Sequence, residues 1–89
     1  MKIDWDEAKR QANLRKHGLD FSDAEEAFSA ITHTVEDRRF SYGEQRFVTL
    51  GLLRDIVVVI THTEARDRIR IISMRKATRN EEALYFQNI

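Results

Sequence analysis

An α+β domain is predicted for this chain, with two N-terminal helices, a mostly antiparallel sheet of about four to five strands, and a C-terminal helix. Three observations carry the prediction. Helix caps and apolar residues at helical spacing occur before residue 30, alternation with period two runs from Thr32 to Met74, and Thr78 with Glu81 has capping-box spacing just beyond it. The order β-α-α-β-β-β-β-α, with short links between successive strands, favours antiparallel neighbours. Its 89 residues suffice for one domain, residues 1–89, with a thin core.

Lys2 to Trp5 reads as a short first strand. Asp6 caps a helix running to about His17, Gly18 terminates it in the left-handed conformation, and Leu19 folds back behind it. A second, shorter helix begins at Ser22, where Ser22 and Glu25 are spaced as a capping box and Ala24, Ala27 and Phe28 share one stripe. Thr32 to Arg38 is a polar strand suited to a sheet edge. Arg46 to Leu53 follows a loop containing Tyr42-Gly43. Asp55 to Thr63 contains Ile56-Val57-Val58-Val59-Ile60, a β-branched run that suits a central strand buried on both faces. Glu64 to Asp67 turns the chain into the last strand, Arg68 to Met74. Trp5 and Phe21 are expected in the core, and His62 shares the side of its strand with Ile60. Glu82 to Gln87 resembles a protease-tag site, but its helical continuity with the preceding residues reads as native.

Composition narrows the function classes. The apolar and charged fractions, 42% and 34%, suit a folded soluble domain. No apolar run approaches the roughly 18–20 residues that cross a membrane, and the first residues lack the apolar stretch of a signal peptide. With no cysteine, disulfides and thiolate metal sites are excluded, and a cytoplasmic location is expected. Net charge is zero, yet its distribution is uneven. Residues 20–37 hold six acids and no Lys or Arg, whereas residues 66–79 hold six bases against Asp67. Such asymmetry hints at polyanion contact, and the excess of arginine over lysine, eleven to four, favours the side chain that forks onto phosphate.

The chemistry-bearing residues follow from what is missing. There is no phosphate-cradling glycine loop and no His-Glu-x-x-His, and His17, His33 and His62 are too scattered for a metal site, so no cofactor is expected. Period two puts Arg68 and Arg70 on one face of the last strand and Ile69, Ile71 and Ser73 on the other. Arg75 and Lys76 crowd the junction with the last helix, whose N-terminus adds free N–H groups; together these form a candidate phosphate clamp. The plainer alternative is salt bridging of Arg68 and Arg70 with Glu64 and Asp67. Glu64, beside arginines, is a candidate general base. Lys16 and His17 end the first helix, where positive charge also answers the helix dipole.

The segments Trp5-Asp6-Glu7-Ala8-Lys9, Asn13 to Phe21, Tyr42 to Phe47 with Leu50-Gly51, and Arg70-Ile71-Ile72-Ser73 with Arg75-Lys76-Ala77, Glu81 and Tyr85 resemble the BrnT family in order and spacing. That resemblance implies a RelE-like fold and a metal-independent endoribonuclease toxin of a type II toxin–antitoxin system, which inhibits translation. It implies a BrnA-like ribbon-helix-helix antitoxin that carries the complex to operator DNA as a heterotetramer or larger assembly. Cleavage would run through attack of a ribose 2′-OH on the adjacent phosphate. Arg66, Arg70 and Arg75 would then stabilise the developing charge, Glu64 would act as base, and His17 or Lys16 would assist proton transfer; Arg46, Arg68, Lys16 and Lys76 would bind RNA phosphates. One departure stands out. The family often reads Thr-x-Arg here, but Thr63-Glu64-Ala65-Arg66 puts the arginine one place later, and a one-residue slip reverses a strand side chain. A non-catalytic or attenuated binding module, acting through antitoxin and DNA, is therefore the second reading.

Overall fold

The computed structural model describes residues 2–39, 41 and 43–89; the loop residue Tyr42 lies outside these. Its elements are β1 (Lys2–Trp5), α1 (Glu7–His17), a 3-10 turn (Phe21–Asp23), α2 (Ala24–Ser29), β2 (His33–Asp37), β3 (Arg46–Leu53), β4 (Ile56–Ala65), β5 (Arg68–Lys76) and α3 (Arg79–Gln87). The class is α+β. One five-stranded sheet is ordered β1-β5-β4-β3-β2. Strands β2 to β5 pair antiparallel, but β1 runs parallel to β5, so the sheet is mixed. A hairpin imposes antiparallel pairing; β1 escapes it because α1 leads the chain away. β2 is an edge strand, as its polar sequence suggested.

Local chemistry explains the helix ends. Asp6 accepts the Lys9 N–H at 3.1 Å, and Gly18 closes α1 at φ 71°, which glycine adopts without a Cβ penalty. The second helix does not use the expected Ser22–Glu25 box. Asp20 accepts the Ser22 N–H at 3.0 Å and opens the 3-10 turn, while Asp23, ahead of α2, makes no side-chain cap. Asp20 also receives Arg10 at 2.9 Å, which ties the turn to α1 and fixes the aspartate as the cap.

Strand alternation divides the core between two sheet faces. On the α2 face, Val58, Ile60, Ile69, Ile71 and Met74 meet Phe21, Ala24 and Ala27; on the α3 face, Leu50, Val57 and Val59 meet Tyr85. β4 is thus buried on both sides. Phe21 is a core residue as expected, whereas Trp5, only partly buried, packs against the core and approaches Phe21 edge-on at 6.4 Å. Gly51 lets α2 come close, since a Cβ there would stand 3.1 Å from the Ala27 carbonyl oxygen. Tyr85 is buried, and its hydroxyl donates to the Ile31 carbonyl at 2.7 Å.

The period-two reading of the last strand breaks at one point. Thr61 pairs with Ser73 but His62 pairs with Ile71, so Ile72 is an extra residue, a β-bulge. Ser73 consequently leaves the Ile69–Ile71 side, and Met74 takes the core position. β1 pairs with β5 only as far as Ile71. Beyond that, Asn13 replaces a strand: its Nδ2 donates to the Met74 carbonyl at 2.8 Å and its Oδ1 accepts the Met74 N–H at 3.1 Å. A third bond, Nδ2 to the Leu19 carbonyl at 3.1 Å, holds the chain after α1.

On the α2 face His62 is fully buried, stacked on Phe47 and edge-on to Phe28. Its Nε2 bonds Thr49 Oγ1 at 2.7 Å, and Thr49 bonds Thr34 at 2.7 Å, giving a polar chain across three strands on that face. Burial pushes the imidazole down to about 4, against a weaker upward pull from the Thr63 main chain.

Two outcomes are expected. Asn13→Ala should lower stability by about 2–4 kcal/mol in denaturant titration, because it leaves two buried main-chain groups unpaired. His62 gains a proton near its ordinary value of 6.5 when unfolded but only near 4 when folded. The unfolded state therefore binds more protons between these values, so stability is full above about pH 6.5 and falls by on the order of 3 kcal/mol as pH approaches 4. His62→Gln should flatten that decline; an unchanged decline would place its origin elsewhere.

Candidate functional site

The bulge determines which arginines share a face. Arg70 and Arg75 are five residues apart, an odd spacing that an unbroken strand would split between faces. With the extra residue at Ile72, Thr63 pairs with Arg70 and Val59 with Arg75, both on the α3 face. Arg68, opposite Ala65, joins them, and Arg46 lies on the same side two residues before Val48. Tyr85 covers Leu50, Val57 and Val59, while Thr61 and Thr63 pave the polar part of the face between Arg46 and Arg70.

A carboxylate holds each arginine of β5 on this face. Asp4, brought beside β5 by the parallel pairing, lies 3.4 Å from Arg68 and 3.3 Å from Arg70. The alternative reading, salt bridging, is met in kind, but with Asp4 as the partner in place of Glu64 and Asp67. Arg75 forks onto Glu81, with Nη1 and Nη2 each at 2.8 Å. The hydrogen bond from Arg75 holds the Glu81 carboxyl down to about 2, and Glu81 in turn raises the Arg75 guanidinium. Glu81 also completes the capping box: Thr78 Oγ1 accepts the Glu81 N–H at 3.2 Å and Glu81 accepts the Thr78 N–H at 2.9 Å. The N-terminus of α3 is therefore capped by its own side chains, and the anion expected there is Glu81.

Other predicted residues are placed apart from this group. Glu64 pairs with Ile69 and so lies on the α2 face, its carboxylate 3.7 Å from His62 Nδ1. Lys76 pairs with Val58 on that same face, opposite to Arg75. β4 extends to Ala65, so the turn is only Arg66-Asp67, with Arg66 at φ 55°, a conformation disfavoured for a residue with a Cβ. Lys16 and His17 line an open cleft of about 310 Å³ between α1 and the bulge, together with Lys9, Asn13, Ile72 and Ser73. Ser73 connects that cleft to β5 between Arg70 and Arg75.

Sequence reasoning missed Asp4 and Lys9. Lys9 had a readable signal, since it precedes Lys16 by seven residues, two turns along one stripe. Asp4 had none, because its role depends on a parallel partner remote in sequence. Among the described residues, no group of three or more His, Cys, Asp or Glu side chains is placed to hold a metal ion, and no helix is long and apolar enough to cross a membrane.

A family model described as the ribonuclease toxin BrnT of type II toxin–antitoxin systems matches residues 5–81. A search of curated proteins finds none that matches the chain.

Because Glu81 both caps α3 and grips Arg75, Glu81→Ala should destabilise the domain by about 1–2 kcal/mol. Its folded carboxyl titrates below its ordinary value of 4.5, so its contribution is present above that value and is lost as pH falls toward about 2. Denaturation curves from pH 5 to pH 2 should show this acid decline in the parent chain and a shallower one in the variant.

Proposed function

The chain belongs to the BrnT family of ribonuclease toxins of type II toxin–antitoxin systems, and on that premise we propose that its α3 face binds and cleaves RNA without a metal ion, inhibiting translation. The observation that carries this reading is the gathering of Arg46, Arg68, Arg70 and Arg75 on one face, with those of β5 held by Asp4 and Glu81. Preorganised guanidinium groups suit the charge that develops when a ribose 2′-OH attacks the neighbouring phosphate and the 5′-oxygen leaves, giving a 2′,3′-cyclic phosphate. In this reading Arg70 and Arg75 stabilise the reacting phosphate, and Arg46 and Arg68 hold its neighbours.

For proton transfer, placement favours His17 and Lys16 over Glu64. Both line the cleft that Ser73 joins to the arginine-bearing strand, whereas Glu64 is on the other side of the sheet. Lys76, on the same side as Glu64, takes no part in this reading. We read residues 1–89 as one RelE-like toxin domain with α1 and α2 as its N-terminal helix pair, working in the cytoplasm. A type II toxin has an antitoxin partner; a BrnA-like ribbon-helix-helix protein, bridging to operator DNA in a heterotetramer or larger complex, is the proposed one. Apolar side chains exposed around the end of α3, at Ile31, Leu84, Phe86 and Ile89, suit burial by such a partner.

The second reading, an attenuated or non-catalytic module, draws on Ala65. Its register partner is Arg68, so an arginine at 65 would join the cationic face, whereas Arg66 sits in the turn. Purified chain freed of antitoxin should cleave RNA in EDTA and arrest translation in vitro; inactivity in both assays at micromolar concentration would falsify the ribonuclease reading. Arg70→Ala and Arg75→Ala should each lower kcat/KM by about 100-fold with the fold retained. Ala65→Arg should raise it about 10-fold or more, while Arg66→Ala leaves it nearly unchanged.

A further inference from the structure

We propose that Arg39, anchored by Asp37, is an additional RNA-binding arm at the β2 edge of the α3 face, contacting a phosphate that flanks the one held by Arg70 and Arg75. The inference rests on the reading that this face binds RNA.

Asp37 pairs with Arg46 in the β2–β3 register, which puts it on the α3 face. Its side chain is only 2% exposed, whereas that of Arg39 is 72% exposed. A buried carboxylate is costly unless it is paired, and this one accepts Arg39 three times. Oδ1 takes Nε at 2.9 Å and the Arg39 main-chain N–H at 3.2 Å, and Oδ2 takes Nη2 at 3.0 Å. The fork-on-fork geometry fixes the direction of a long, exposed side chain, which reduces the entropy lost when it meets a ligand.

The row it joins crosses the whole sheet. Asp37 pairs with Arg46, Phe47 with His62, Thr63 with Arg70, and Arg70 with Asp4. Strand alternation around the Phe47–His62 pair sets Arg46 beside Thr63. With strands about 4.8 Å apart, β5 to β2 spans about 14 Å, and the row Arg70, Thr63, Arg46 and Asp37 runs perpendicular to the strands, with Arg39 attached to its β2 end through Asp37. A single-stranded polyanion lying across the strands would meet Arg70, Arg46 and Arg39 in turn.

The neighbouring arginine supplies an internal contrast. Arg38 is 82% exposed, but it binds Glu36 at 2.9 Å, and Glu36 pairs with Phe47 on the α2 face. Two adjacent exposed arginines are therefore assigned to opposite sides of the protein.

The test is binding of a short 2′-O-methylated single-stranded RNA, which cannot be cleaved, by fluorescence anisotropy across a salt series. Arg39→Ala should weaken binding about 10-fold and reduce the magnitude of the log Kd versus log salt slope by about 0.7, the contribution of one single-strand phosphate contact. Arg38→Ala should change neither. Arg39→Lys should restore the slope but not the affinity, because an ammonium cannot make the fork that Asp37 holds. If the parent chain binds RNA and Arg39→Ala matches it in affinity and slope, the proposal is overturned while the RNA-binding reading stands. Equal losses in Arg38→Ala and Arg39→Ala would also overturn it, as a general charge effect. A parent chain with no salt-dependent RNA binding would sink both.

Discussion

The clamp of Asn13 on the Met74 main chain, at the bulge in β5, is the contact on which the rest of the arrangement turns. One extra residue at Ile72 reverses the facing of everything after it on the strand. Met74 becomes core, Ser73 turns from the core side, and Arg75 comes to the face that already carries Arg70. A bulge so close to the end of β1 would leave main-chain groups of β5 without a strand partner. The Asn13 carboxamide supplies both an acceptor and a donor there, and it does so from α1, so the same contact positions the helix whose last turn carries Lys16 and His17.

The electrostatics follow a consistent pattern. A chain with no net charge still presents an ordered set of guanidinium groups, because its acids act as local anchors. Asp4 holds Arg68 and Arg70, Glu81 holds Arg75, and Asp37 holds Arg39. Each pair contributes little long-range field, so attraction of bulk polyanions is modest. What the pairs contribute is direction: the carboxylates hold the guanidinium groups in place, the preorganisation that the proposed phosphate ligand calls for. The Glu81 contact adds a mechanical link, since the carboxylate that orients Arg75 also caps α3, and α3 in turn is seated by buried Tyr85.

Buried polarity on the other face has a different character. His62, Thr49 and Thr34 form a hydrogen-bonded chain among Phe28 and Phe47, closed to solvent at the histidine. Desolvation keeps the imidazole neutral through the physiological range, so the chain acts as structural bonding, with Glu64 at its margin. That placement is also the physical reason for assigning Glu64 a lesser role than its sequence neighbourhood suggested.

Most of the elements were legible in the sequence because their causes are local. Asp6 and Gly18 bound α1, Thr78 and Glu81 open α3, and the β-branched run of β4 marks a strand covered on both sides. The family resemblance was also legible, and the matched model spans residues 5–81. Tertiary structure alone decided the facing and partners of the candidate site residues. The bulge moved Arg75 to the side of Arg70, the register sent Glu64 and Lys76 to the opposite face, and parallel pairing gave Arg68 and Arg70 to Asp4 in place of Glu64 and Asp67. Period two is a reliable local rule, but one inserted residue inverts it. That insertion is stabilised by Asn13, 61 residues away along the chain, a contact that no local pattern encodes.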